Sequence, residues 1–242
     1  MLTFCLHSLF RRYGWNFFHK VALPHPLRTL KALIASSRLD YSTTPILTSR
    51  NMPPQLLRET DSVTGVGFCL KPIAPPCPSG HANHNCLYLE RLMYMEGGEV
   101  PVPCVDCVIR EIGIMAFKAG SAFYIMTSAR DILMDIYIPS LNQKRFTSGL
   151  FVLCRYSLRP FAVGLLSSGI HGLLLPYEHG DCTDYATWLK ADRGTKNDRT
   201  AISEENRKHA SNFLSCSTMP SPTHYMKQGN IFYPEQTNPH RE

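Results

Sequence analysis

The sequence predicts an α/β protein: a three-layer parallel-sheet domain with a Cys-rich loop segment, flanked by disordered ends. Three observations lead there. Between residues 107 and 176 helical and strand-like patterns alternate three times, as a parallel sheet with right-handed crossovers requires. The chain has 242 residues, 44% of them hydrophobic, enough to bury a core. On either side of residues 52–192 the apolar periodicity fades.

The first segment, 1–51, reads as a non-globular leader or a spurious extension. Arg11, Arg12, Lys20, Arg28, Lys31 and Arg38 lie in residues 1–39, where there is no acid. An Arg- and Ser-rich, acid-poor stretch has the composition of a transit peptide, while Arg11 and Arg12 interrupt any secretory apolar run. Met52, just before Pro53-Pro54, is a candidate start, and residues 1–51 are expected to be dispensable. Six of the 25 basic residues fall in residues 1–39, so the 19 acids balance the 19 basic residues of the rest of the chain. A neutral body gives no nucleic-acid signal. No apolar run approaches the length of a membrane span.

Within 52–192 the elements follow in order. Apolar residues 108, 109, 112, 115, 116 and 119 have helical spacing, and Gly120 is a stop. Ser121–Met126 suits a buried strand. Thr127-Ser128, with Asp131 three residues after Ser128, resembles a capping box before a helix from Ala129 to about Ile138, which Pro139 ends or bends. Gly149–Cys154 is the next strand. Ser157 and Pro160 suit the opening turn of a third helix, ended by Gly169, and Ile170–Leu175 is the third strand. The region 193–242 reads as a mostly disordered tail with one short helix near Ser203–Leu214. Trp188 and Tyr185 are expected to pack back on the domain.

Nine cysteines are the unusual feature. An odd count in a chain with long apolar α/β segments favours reduced thiols, metal ligands or redox chemistry over a disulfide framework. Parallel β/α folds build sites at the carboxyl edge of their strands. Cys154 ends one strand, and Cys182 lies in the loop after the next. The helix opened by Cys104-Val-Asp-Cys107 runs antiparallel to the strand it feeds, so its N-terminus lies at that edge too. These four are the leading metal ligands, expected in one pocket, with thiolates favoured by the helix N-terminus. Cys69, Cys77 and Cys86 form a second group in a Pro/Gly-rich loop that metal ligation could hold. His81 and His84 read as loop histidines. Thiolate ligation suits an iron–sulfur cluster or zinc, and ligands scattered along a strand edge tip the choice toward a cluster.

Cys69-Leu70, Cys77-Pro78, the Cys104/Cys107 pair, Thr127-Ser128, Cys154 and Asp181-Cys182 together resemble an uncharacterised family of cysteine-rich bacterial and archaeal proteins, a domain of unknown function. The resemblance covers about Gly67 to Asp184. It implies a cysteine-bound metal centre and no established activity. Thr127-Ser128 stands where the family has Gly-Gly.

Two other functions remain open. Cys104 and Cys107 at a helix N-terminus fit a thiol-redox enzyme, although Pro101-Val102-Pro103, and no strand, precedes them. Ser128, Arg130, Arg155, Arg159, Glu178, His179 and Asp181 fit a small-molecule-binding enzyme with structural cysteines, the arginines and the N-terminus at Ala129 holding an anion. Whether the chain is an enzyme, and what proteins it meets, the residues leave open. Reduced cysteines place it in the cytoplasm.

Overall fold

The computed structural model describes residues 13–49, 61–94, 99–196, 198–215 and 224–235. At its centre four parallel strands stand in the order β5-β4-β2-β3: β2 (Ser62–Gly67), β3 (Ala122–Met126), β4 (Ser148–Leu153) and β5 (His171–Pro176). Three of these match the expected strands to within a residue or so. They are buried on both faces, as strands in a covered parallel sheet must be. Alternate residues serve two cores. Val66, Phe123, Ile125, Leu150, Val152 and Leu175 face one, and Val63, Tyr124, Phe151, Leu153 and Leu174 the other.

The sheet is mixed at its edges. The two-residue β1 (Ile46–Leu47) runs antiparallel to β5. The hairpin β6 (Tyr225–Gln228) and β7 (Ile231–Pro234) runs antiparallel beside β3, through the Phe123–Phe232 and Tyr124–Ile231 pairs. Short antiparallel edges blunt a sheet against further pairing.

Helices cover both faces. One layer holds α3 (Leu87–Met93) and α4 (Val108–Lys118), which sends Val108, Ile109, Ile112 and Ala116 inward and stops at Gly120, φ 70°. The opposite layer holds two longer elements. α5 runs through three joined pieces, Ala129–Ile132, a π-helical stretch Leu133–Tyr137, and Ile138–Gln143. The expected capping box is present: Ser128 Oγ accepts from Asp131 N at 3.1 Å. Pro139 does not end this helix. It falls in the first turn of the last piece, directly after the π-helical stretch, where the changed hydrogen-bond register accommodates a residue without an N–H. α6 (Arg155–Ser168) starts earlier than expected, directly after Cys154, and carries Pro160 inside it.

Both flanking segments contribute structure among their described residues. In 13–49, a short helix α1 (Tyr13–Phe17) passes into a π turn, and α2 (Pro26–Ser37) packs on α6. Val21, Thr29, Ala32, Ser36 and Ile46 are buried there. After β5, α7 (Tyr185–Asp192) buries Trp188 against the domain as expected, with Tyr185 packed beside it and the two rings stacked at 5.6 Å. The stretch 193–242, read as a mostly disordered tail, supplies α8 (Glu204–Ser215) and the β6–β7 hairpin. The side-chain amide of Asn206 donates to Pro176 O at 2.8 Å, and Tyr225 stacks on Phe117 at 3.8 Å. The helix matches the one expected near Ser203–Leu214, whereas polar composition hid the hairpin, which is anchored by a few buried residues and not by a stripe.

Phe151 lies at the centre of its core over three glycines. A Cβ on Gly65, Gly149 or Gly172 would approach its ring to 2.7, 2.7 or 3.3 Å, and on Gly149 would also meet Val63 O at 2.5 Å. Phe161 closes the niche edge-on at 5.0 Å. Gly149→Ala is therefore expected to destabilise the protein by about 1–3 kcal/mol, since backbone and a packed ring must both give way. A urea midpoint unchanged from the wild type would contradict this packing.

Candidate functional site

The crossover from β2 to β3 uses the α4 layer, and that from β4 to β5 uses α6 on the other face. The carboxyl ends of the adjacent β2 and β4 therefore open a crevice, the usual location for a site in such a sheet. Three cysteines reach it from the loops after three neighbouring strands. Cys69 sits in a 3-10 turn (Phe68–Leu70) after β2, Cys154 caps α6 after β4, and Cys182 lies in the loop after β5. They line a cavity of about 90 Å³ together with Ser157, Tyr177 and Trp188. Gly67 is required beside it, because a Cβ there would fall 1.8 Å from the Tyr177 hydroxyl.

Ser157 links Cys154 to Trp188 by hydrogen bonds. The Trp188 indole N–H donates to Ser157 Oγ at 3.0 Å, which leaves the Ser157 hydroxyl hydrogen free to turn toward Cys154 Sγ, also 3.0 Å away. The Cys182 thiol acts on the same sulfur from across the cavity. Donation from Cys182 and Ser157 holds the Cys154 thiol below its ordinary value against the cost of burial. The same bond, with burial, pushes Cys182 up. Lys196, itself buried, places Nζ 3.8 Å from Cys182 Sγ and also donates to Gly180 O. Burial pushes Cys69 to about 11, with Lys196 opposing.

The remaining four described cysteines form a different group. Cys77 lies in the loop 71–86, Cys86 caps α3, Cys104 ends a 3-10 turn (Val102–Cys104), and Cys107 caps α4. Burial pushes Cys86 to about 12, and the neighbouring Cys107, Cys77 and Cys104 push in the same direction. Cys104 and Cys107 are raised as well, each by burial first and then, among other influences, by Cys77. The expectation that the helix N-terminus would favour thiolates there is thus corrected. The N–H groups of Ile109 and Arg110 do favour the Cys107 thiolate, but desolvation outweighs them.

Lys71 organises this group. It is 3% exposed, and its Nζ donates to Gly80 O at 3.0 Å, Asn83 O at 3.0 Å and Asn83 Oδ1 at 2.6 Å. Burial lowers it to about 8, against the pull of Cys77, Cys86 and Cys107. The loop is held further by the histidines. His84 Nδ1 is 2.7 Å from Ile125 O and its Nε2 is 2.9 Å from Thr127 Oγ1; His81 Nε2 is 3.2 Å from Lys196 O.

The expected single pocket of Cys104, Cys107, Cys154 and Cys182 is therefore divided. Cys104 and Cys107 act with Cys77 and Cys86, whereas Cys154 and Cys182 act with Cys69. All seven are free thiols. Among the described residues no three or more His, Cys, Asp or Glu side chains stand, as placed, in a group that could hold a metal ion. Cys5 and Cys216 lie outside the described residues.

The groups expected to hold an anion are engaged by the protein's own carboxylates and rings. Ala129 N donates to Asp192 Oδ1 at 2.8 Å, Arg155 N to Asp181 Oδ1 at 3.1 Å, and Arg159 lies 5.1 Å over the Tyr41 ring. Lys71, Lys196 and Trp188 shape the thiol groups, yet no sequence spacing marks the two lysines. No helix among the described residues is long and apolar enough to cross a membrane. No family model, curated protein or solved structure matches the chain.

Proposed function

We propose that this chain is a cysteine-ligated metal protein, with Cys77, Cys86, Cys104 and Cys107 as the ligand set. The observation that carries this reading is the gathering of three buried thiols, Cys86, Cys104 and Cys107, and the half-buried Cys77 from two segments, with the buried Lys71 ammonium acting on three of the four. Such a donor set is soft and matches zinc or an iron–sulfur cluster. Buried thiols that resist deprotonation would be costly as bare thiolates, and a bound cation offsets that cost while Lys71 balances charge. The four would turn toward one point and lose their protons on binding. The grouping as two pairs, each close in sequence, favours zinc over a cluster, since the scatter that first suggested a cluster belongs to the other thiols. The resemblance to the cysteine-rich bacterial and archaeal family points the same way, and reduced thiols suit the cytoplasm. The raised proton affinity of Cys104 and Cys107 speaks against the thiol-redox reading of that pair.

Protein purified without oxygen is expected to hold about one zinc per chain, lost in Cys107→Ser. Iron with acid-labile sulfide would make the site a cluster. No metal, with these four thiols freely titratable in the folded protein, would overturn the reading.

A further inference from the structure

We propose that Cys154 and Cys182 are a redox-active dithiol that exchanges with a small disulfide in the cavity at the carboxyl edge of β2 and β4. This is a second site, independent of the metal ligands. The two thiols come from loops after neighbouring strands and line the same cavity, where each acts on the other's proton affinity. Cys154 is the attacking sulfur on geometric grounds. It opens the 14-residue helix α6, keeps 8% of its surface exposed beside the cavity, and receives the Ser157 hydroxyl that Trp188 orients. Each of these favours a thiolate, and its proton affinity is lowered despite burial. Cys182 is the resolving sulfur, with the Lys196 ammonium 3.8 Å away to stabilise its thiolate as it forms.

The exchange balances as follows. Cys154 Sγ, having released its proton, attacks one sulfur of the substrate disulfide. The substrate S–S bond breaks, and the first thiol leaves with that proton. Cys182 Sγ then attacks Cys154 Sγ, breaking the mixed disulfide. The second thiol leaves with the Cys182 proton. The protein loses two electrons and two protons and gains one S–S bond, and the substrate is reduced to two thiols. The substrate class is a low-molecular-weight disulfide, because the cavity is small.

Oxidised glutathione is the probe, used on the full chain without oxygen, with metal content measured on the same sample. The first product is expected to be an intramolecular Cys154–Cys182 link in the peptide map, with two thiols lost per chain and no glutathione retained. Cys182→Ser is expected to hold one glutathione, on Cys154. The Trp188 fluorescence should change with oxidation in step with the link. First capture at Cys69 or at any of Cys77, Cys86, Cys104 and Cys107 would overturn the proposal. So would a folded wild-type protein in which Cys154 and Cys182 stay reduced. The wild-type peptide map decides the question even if the variant fails to fold.

Discussion

Removal of residues 1–49 is expected to lower the thermal midpoint by about 10–20 °C, or to prevent folding altogether. This reverses the expectation drawn from the composition of that segment. Two things are lost. The first is the buried cover that Val21, Ala32 and Ile46 provide, whose removal exposes the apolar surface of α6 and β5 beneath them. The second is the edge of β5, where Thr48 N donates to Gly172 O at 3.0 Å and Gly172 N donates to Thr48 Oγ1 at 2.7 Å. Burying a Val or Ile side chain contributes about 1.5–3 kcal/mol, and each hydrogen bond about 1 kcal/mol. Together they amount to about 5 kcal/mol, a large part of the ~5–15 kcal/mol typical of a whole domain. A chain starting at residue 50 that melts with the full chain would show that α2 and β1 contribute nothing.

Lys71→Met is expected to cost about 3 kcal/mol and to loosen the loop 71–86. Methionine fills the volume but donates to nothing. Gly80 O, Asn83 O and Asn83 Oδ1 then lose the one ammonium they share. Asn83 also donates from Nδ2 to Ser79 O at 2.6 Å and accepts from Asn85 N at 2.9 Å, so the disturbance spreads along the loop that presents Cys77 and Cys86. Hydrogen exchange should quicken between Gly80 and Cys86 while β4 stays protected. Unchanged exchange in the loop, with an unchanged urea midpoint, would deny Lys71 its organising role.

The strands β3, β4 and β5 were legible because burial on both faces leaves continuous apolar runs, and because Gly120 and Gly169 stop the helices on either side. β2 was not. Ser62–Gly67 has only two large apolar residues, and its burial is decided by β3 and β4 packing against it. α2 misleads for another reason. Its buried face is Thr29, Ala32 and Ser36, small residues that let it approach α6 closely, while Leu27, Leu30 and Ile34 are exposed. A periodicity reading weighs the wrong face.

The cysteines were placed at the correct edge but not at the correct position along it. Topology fixes which end of a strand a residue occupies. It does not fix the lateral order of strands, and β2 inserts between β3 and β4. Neighbouring strands lie about 4.8 Å apart, so β3, beside which Cys107 sits, is roughly 14 Å from β5. That separation is why one expected pocket became two groups of thiols.

The position of β2 also dictates an order of assembly during translation. It is the first of the parallel strands to be made, yet both of its neighbours are made later, and Cys69 just behind it finds its companions only when Cys154 and Cys182 follow. A ribosome adding roughly 5–20 residues each second takes on the order of ten seconds to get from Cys69 to Cys182. Throughout that interval the first thiol of the cavity is an ordinary accessible sulfur on an unfinished chain. How often it meets an oxidant or a stray metal is therefore governed by the pace of synthesis, and slow codons between β2 and β5 would lengthen that exposure without altering a single contact of the finished fold.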